Sequence, residues 1–326
     1  MPIKVGERVS AEAAFDFANA DKTSSRWPSR GDNNRLEPTY SPNLTPRFRI
    51  EQGAKIFTIG SCFARTIERW LLARGFRIPM LDFAVPKTEW SARSNGILNK
   101  YTPPNMLQVV RRAMVCDNDW GAVDAETEHL LFSSGNDLVI DLELMGFVPV
   151  SRQRAIERQR EIHNIFVQAF DSDVVIITMG LVECWFHNNT GLAIQSAPAT
   201  PSMLRAKEQF SFQLLDITEA YNAMAAMIKI LMERGKPGKK ILLTVSPIPL
   251  FATFTGMDVV IANSYGKNML RTVAQQLYSE FDCVDYFPSY EIVQYSRSPN
   301  TWHEDLIHVT EDIVRGVVTV MLENYT

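Results

Sequence analysis

Hydrophobic positions between residue 55 and the C-terminus alternate between two periods. Short apolar runs that close on glycine or proline, "KIFTIG", "SDVVIITMG" and "KKILLTVSP", suit buried parallel strands. The stretches between them repeat at helical spacing. After the first run, Phe63, Ile67, Trp70 and Leu71 share one helical face, and Gly75 sits where a C-cap is needed. "SRQRAIERQREIHNIFVQAF" is an amphipathic helix opened by Ser151, and "DITEAYNAMAAMIKILMERG" gathers Ala, Met and Ile on one face before Gly235. "SYGKNMLRTVAQQLYSEF" is a further helix, "DCVDYFPSY" a short fourth strand and "TEDIVRGVVTVMLENY" a closing helix. Strands that alternate with helices imply an α/β fold, a parallel sheet with helices on both faces.

Two regions break the rhythm. Residues 1–50 carry no apolar periodicity and are rich in Pro, Ser, Asn and Arg, which predicts an extended N-terminal arm. Trp27, Tyr40 and Phe48 are its expected anchors, because a free tail rarely carries so many rings. Residues 82–150 are expected to form an inserted helical and hairpin cap. There "PPNMLQVVRRAM" starts a helix with proline in its first turn, and "HLLFSSGNDLVIDL" reads as two strands joined at Ser-Ser-Gly-Asn. Residues 51–326 then form the main domain.

Composition narrows the function. At 46% hydrophobic and 21% charged residues the chain has the make-up of an ordinary globular protein with a sizeable core. A net charge of -4 and a pI near 5.8 argue against a nucleic-acid partner held by bulk electrostatics. No long apolar run or leader pattern is present, so a cytoplasmic protein without a membrane span is expected. The four cysteines are far apart and the five histidines show no HxH or HExxH spacing, so neither a disulfide framework, a metal nor a cofactor is expected.

Ligands of an open parallel sheet bind outside the carboxyl ends of its strands. Ser61 and Cys62 follow the first strand, Gly180, Glu183, Cys184 and Trp185 the second, Ser246 the third, and Asp305 and His308 precede the last helix. A hydroxyl or thiol becomes a nucleophile once a neighbouring base takes its proton, and His308 held by Asp305 would be such a base. A nucleophile at a helix N-terminus also gains from the dipole and from free N–H groups. The bland readings are a Ser61 N-cap, a surface His308, packing thiols, and a Glu183 that caps a backbone segment or pairs with an arginine.

"IGSCFA", residues 59–64, together with "ITMGLVECW", "VSPIPLFATFTG", "YFPSYEIV" and "EDLIHVT", resembles the GSCFA family, which is grouped with the SGNH/GDSL hydrolases. The resemblance covers the chain from about residue 50 onward and implies a three-layer, flavodoxin-like SGNH fold. "GSC" occupies the place of the first-block Gly-Asp-Ser: superposed glycines put Cys62 on the nucleophile, and a shift of one residue puts Ser61 there. "DLIH" matches the terminal block, which gives Asp305 and His308 the dyad roles. Gly96 loosely matches the second-block oxyanion donor. The third block reads Gly180-Leu181-Val182-Glu183 and lacks the asparagine that normally donates to the oxyanion. Losing such a donor costs roughly 10²–10³ in rate, unless Asn95, Asn99 or another group substitutes. A thiol, which ionises more readily than a hydroxyl, tolerates weaker activation.

The resemblance thus implies a hydrolase or acyltransferase for O-acyl esters, chiefly acetyl, of a small molecule or saccharide. Trp185, Trp302 and Tyr265 are candidate stacking residues, and His303 is a lesser candidate for the base. The alternative is an SGNH-fold binding protein that has lost the chemistry. A flavodoxin-like nucleotide or flavin protein fits poorly, because the loop after the first strand lacks the glycines and hydroxyls of a phosphate cradle.

Overall fold

The computed structural model of the protein describes residues 3–29, 34–116 and 119–326. In chain order it runs α1 (Ala11–Ala20), β1 (Ile56–Gly60), α2 (Cys62–Ala73), α3 (Pro103–Cys116), α4 (Trp120–Leu130), β2 (Leu131–Gly135), β3 (Leu138–Asp141) and β4 (Val150–Ser151). There follow α5 (Arg152–Phe166), α6 (Gln168–Asp171), β5 (Val174–Met179), β6 (Glu183–His187), β7 (Leu192–Ile194), α7 (Pro201–Arg205) and β8 (Phe210–Leu214). The last part holds α8 (Ile217–Glu233), β9 (Lys240–Val245), α9 (Val259–Glu280), β10 (Val284–Tyr286), α10 (Ser289–Tyr295) and α11 (Glu311–Tyr325).

The central sheet has the order β1-β5-β9-β10, and every pair in it is parallel. Every residue of β1 and β5 is buried, as strands covered on both faces must be. Period-two alternation sorts their side chains between two cores. Phe57, Ile59, Val175 and Ile177 join Met106 of α3, Phe166 of α5, Met224 of α8 and Leu270 of α9. Ile56, Val174, Ile176 and Leu242 join Phe63 and Ile67 of α2, Ile292 of α10 and Val317 of α11 on the other side. The three-layer α/β architecture expected from the sequence is the one formed.

Local chemistry sets the element boundaries. Ser151 accepts the Arg154 N–H and opens α5, and Asp216 with Glu219 forms a reciprocal capping box on α8. α9 starts at Val259 rather than at Ser264, because Asp258 accepts the N–H groups of Val260 and Ile261 and caps an earlier turn. Gly60 closes β1 where the chain touches its neighbour: a Cβ there would lie 2.6 Å from the Thr178 carbonyl oxygen.

The region expected as a cap divides. α3 buries Met106, Val109 and Val110 in the main core, so it belongs to a helical layer. The β2–β3 hairpin forms, but its turn lies at Asn136-Asp137, both with positive φ (51° and 59°), not at Ser-Ser-Gly-Asn. A second segment completes the small unit: β7, β6 and β8 form an antiparallel sheet directly after the carboxyl end of β5. Phe132, Ile140 and Phe147 pack with Ile194, Met203 and Phe210 in a satellite core. The N-terminal arm contains a helix, α1, that buries nothing. Further on, Trp27 meets the Tyr295 ring edge-on at 5.8 Å, the Tyr40 N–H donates to Ser296, and Phe48 packs on Tyr325.

Candidate active site

Three strand ends meet at the carboxyl edge of the sheet. The register pairs Gly60 of β1 with Thr178 of β5, so the residues two places beyond, Cys62 and Gly180, leave the sheet at the same level. Ser61 Oγ donates to Ser246 Oγ (3.1 Å), at the end of β9 beyond β5. Tyr101 closes the mouth from above: its carbonyl accepts the N–H groups of Gly180 (3.0 Å) and Leu181 (2.9 Å).

Ser61 and Cys62 now separate. Ser61 is the N-cap residue of α2, 2% exposed, and its hydroxyl makes no capping bond because it is turned to Ser246. Cys62 is the first helical residue and is partly exposed. Burial pushes its thiol above the ordinary value, while the Phe63 N–H, the Lys267 ammonium, its own N–H and the Arg93 guanidinium all favour the thiolate. Burial raises the Tyr101 phenol to about 12, with the Cys62 charge as second cause. Beneath Cys62, one turn along α2, Arg65 and Glu68 form a fully buried ion pair that also engages Thr58, and Asn95 Nδ2 donates to Glu68 (2.6 Å).

Lys267 enters from the opposite layer. It lies on α9, is 1% exposed, and Nζ donates to the Gly180 carbonyl (2.8 Å). Burial lowers the amine to about 7, and the Cys62 charge opposes that shift. A pocket of about 10 Å³ between residues 180–183 and α9 runs along Lys267, room for roughly one water. Sequence reading missed this residue. The available signal was its position on the buried face of α9, three residues before Leu270 and seven before Ala274, where a cation is out of place.

Asp305 and His308 form a self-contained loop. Asp305 Oδ1 accepts the N–H groups of Ile307 and His308 (both 2.9 Å), and Oδ2 lies 2.6 Å from His308 Nδ1. Leu306 adopts φ 54° to close this turn, a conformation a leucine holds at a cost. The imidazole and those N–H groups hold the Asp305 carboxyl well below its ordinary range. The loop is solvent-facing, with the His308 side chain 61% exposed. Among the described residues no hydrogen bond joins His308 to Ser61 or Cys62. The Arg93 guanidinium acts on Cys62, and the carboxylates of Glu68 and of Glu311, three residues after His308, act on Arg93. His303 is exposed, and its N–H donates to the His308 carbonyl (2.9 Å).

The expected oxyanion and substrate residues are mostly committed to the protein itself. The Gly96 N–H donates to the Arg93 carbonyl (2.8 Å), because residues 94–98 coil as a 3₁₀ turn. It is therefore not a free donor. Asn95 spends its amide on Glu68 and on the Met80 carbonyl. Glu183 accepts the Thr253 hydroxyl (2.6 Å) and the Phe254 N–H (2.9 Å), which is the backbone-capping alternative. Trp185 packs between Phe212 and Phe254 at 5.2 and 5.1 Å. Asn99 is buried beside Tyr101, its amide 3.4 Å from the phenol and its Oδ1 without a partner.

The model of the GSCFA family matches residues 55–320. The chain belongs to the GSCFA family. That match begins at β1 and ends within α11, so the GSCFA region takes in the sheet, the small unit and the Asp305–His308 loop and leaves the arm outside. No curated protein and no solved structure matches the chain. Among the described residues no helix is long and apolar enough to cross a membrane.

Proposed function

We propose that this GSCFA protein is an SGNH-type hydrolase or acyltransferase that works through an acyl-thioester on Cys62. The observation that carries this reading is the position of Cys62: partly exposed in the first turn of α2, where burial raises its thiol and the Phe63 N–H, Lys267 and Arg93 oppose that rise. Ser61, buried and bonded to Ser246, is the poorer nucleophile. In this reading Sγ attacks the acyl carbon and the N–H groups at the start of α2 face the oxyanion. The Asp305–His308 pair gives a proton to the departing alcohol and takes one from the incoming water or acceptor. The substrate would be an O-acyl, chiefly acetyl, ester. A saccharide acceptor is supported by the family resemblance and by the exposed aromatic ring of Phe254 beside Trp185.

A binding protein without turnover is favoured by one observation, the Gly96 N–H already bonded to Arg93. One experiment separates the readings. Wild type, Cys62→Ala, Ser61→Ala and His308→Ala are mixed with p-nitrophenyl acetate, quenched and weighed intact. An acetyl adduct lost with Cys62→Ala and retained, without turnover, in His308→Ala supports the thioester reading. An adduct lost only with Ser61→Ala makes the protein a serine esterase. Absence of both adduct and turnover moves the binding reading to the front.

A further inference from the structure

The buried amine of Lys267 needs an explanation. A lysine withdrawn from water normally finds a carboxylate or a ring of carbonyls. The protein's other buried lysines obey this. Lys239 Nζ donates to the carbonyls of Ala169 and Ser172, and Lys100 Nζ donates to the Glu143 carbonyl with the Glu143 and Asp141 charges nearby. Among the described residues Lys267 has one bond, to Gly180, and no carboxylate. Glu183 lines the same pocket but is satisfied by Thr253 and Phe254. The elements packed on α9 turn their charges elsewhere: Tyr221 of α8 to Glu280, Glu291 of α10 to Arg271 and Tyr286, and Asp285 of β10 to the Arg47 N–H. The group whose charge acts on Lys267 is Cys62. On its own side Cys62 also faces Arg65, Tyr101 and Arg93.

The backbone explains the meeting. Cys62 starts a helix of one layer and Lys267 belongs to a helix of the other, so the sheet would normally keep them apart. They come toward one another because Cys62 and Gly180 each lie two residues beyond the Gly60–Thr178 register pair, and Gly180 is where Nζ is tethered; among the described residues no hydrogen bond joins Sγ to Nζ. A single hydrogen bond to a carbonyl uses one N–H of a neutral amine and leaves its lone pair free to accept a proton.

We propose that Lys267 is the proton acceptor for Cys62, the two forming a thiol–amine pair across the carboxyl end of β5. This rests on the reading of Cys62 as the nucleophile. As Sγ bonds to the acyl carbon, the S–H bond breaks and its proton passes to Nζ, which becomes an ammonium. The departing alkoxide takes its proton from the His308 imidazolium. In the second half-reaction water adds to the thioester carbon and gives a proton to His308. The C–S bond breaks, its electron pair returns to sulfur, and sulfur recovers its proton from Nζ. Lys267 thus serves the sulfur from the buried side and His308 the oxygen from the solvent side. A lysine tuned by burial toward neutrality is suited to that task.

The test reads the thiol and needs no substrate. Full-length protein is alkylated with iodoacetamide across about pH 6 to 10, and Cys62 modification is followed by peptide mass, with Cys283 as the internal control. In wild type the Cys62 rate should rise through an inflection near the amine's own titration, below the ordinary thiol range of about 8.5. Lys267→Met should lose that inflection and react at least roughly tenfold more slowly near neutral pH, with Cys283 unchanged. A folded Lys267→Met that keeps the wild-type rate and profile overturns the proposal. If Lys267→Met does not fold, the wild-type profile decides: a single rise at or above the ordinary thiol range overturns it. Acetylation of Cys62 without dependence on Lys267 would leave the thioester reading standing and return the thiol's proton to His308. Dependence on Lys267 without any acyl adduct would leave the pair standing and remove the ester chemistry.

Discussion

Ser61 Oγ lies 3.1 Å from Ser246 Oγ, and this bond ties the end of β1 to the end of β9 across β5. It gives the serine of the Gly-Ser-Cys turn a structural task that its neighbour lacks. Ser61→Ala should therefore cost about 1 kcal/mol of stability, the worth of one buried hydrogen bond, and keep acyl-adduct formation within a few-fold of wild type. Cys62→Ala should keep the stability and lose the adduct. Denaturant unfolding with intact mass on both variants checks this, and loss of the adduct in Ser61→Ala alone would reverse the roles.

Gly60 stands where β1 touches β5. An added Cβ would meet the Thr178 carbonyl oxygen at 2.6 Å and its Cβ at 2.7 Å, and neither strand can yield without breaking the ladder that sets Cys62 level with Gly180. Gly60→Ala should destabilise the protein by about 1–3 kcal/mol and lower adduct formation more than the melting point alone accounts for. A variant with wild-type melting and reactivity would show that the strands have room to part.

Much of this arrangement was legible in the sequence. β1, β5 and β9 are short, mostly apolar and closed by glycine or proline, and helix starts such as Ser151 and Asp216 carry side chains that satisfy orphan N–H groups. β6, β7 and β8 were missed because their exposure follows no clean alternation: the buried residues of β6 include Glu183 and His187, and Trp185 is only half-buried. α1 and α4 bury nothing or little, so no apolar stripe announces them. In the site, Asp305 and His308 were readable because a three-residue spacing makes the loop by itself. The Lys267–Gly180 bond joins residues far apart in the chain, and only the packing of α9 on the sheet brings them together.

The Arg65–Glu68 pair sets the floor beneath Cys62. Glu68 is fully buried and binds Arg65, Thr58 and Asn95. Glu68→Gln leaves the Arg65 charge buried without its counter-charge, and breaking a buried pair from one side costs about 3–5 kcal/mol. Equilibrium unfolding of Glu68→Gln against Asp312→Asn checks this, because Asp312 pairs with Arg315 on the open surface and should cost under about 1 kcal/mol. Equal losses would mean that the buried pair is not held by charge.

Lys267 also leaves a mark on stability against pH. Its amine is held at about 7 in the fold, against an ordinary 10.5 once unfolded. Between those values the unfolded chain binds a proton that the native protein does not, so stability rises with pH across that window. Below it, both states are protonated and the native protein carries the full cost of a buried ammonium. Lys100 and Lys239, each lowered to about 8 by burial, add slopes of the same sign, and the raised Cys62 thiol adds one of opposite sign at alkaline pH. Comparison with Lys267→Met isolates the one contribution. The methionine variant should be the more stable protein near neutral pH by an amount of order a few kcal/mol, and the gap should close as the pH approaches about 10. Urea unfolding of both proteins at several pH values reads the gap directly. A gap that stays constant would mean that Lys267 keeps its proton in the fold, leaving it a fixed counter-charge for Cys62 and no acceptor of its proton.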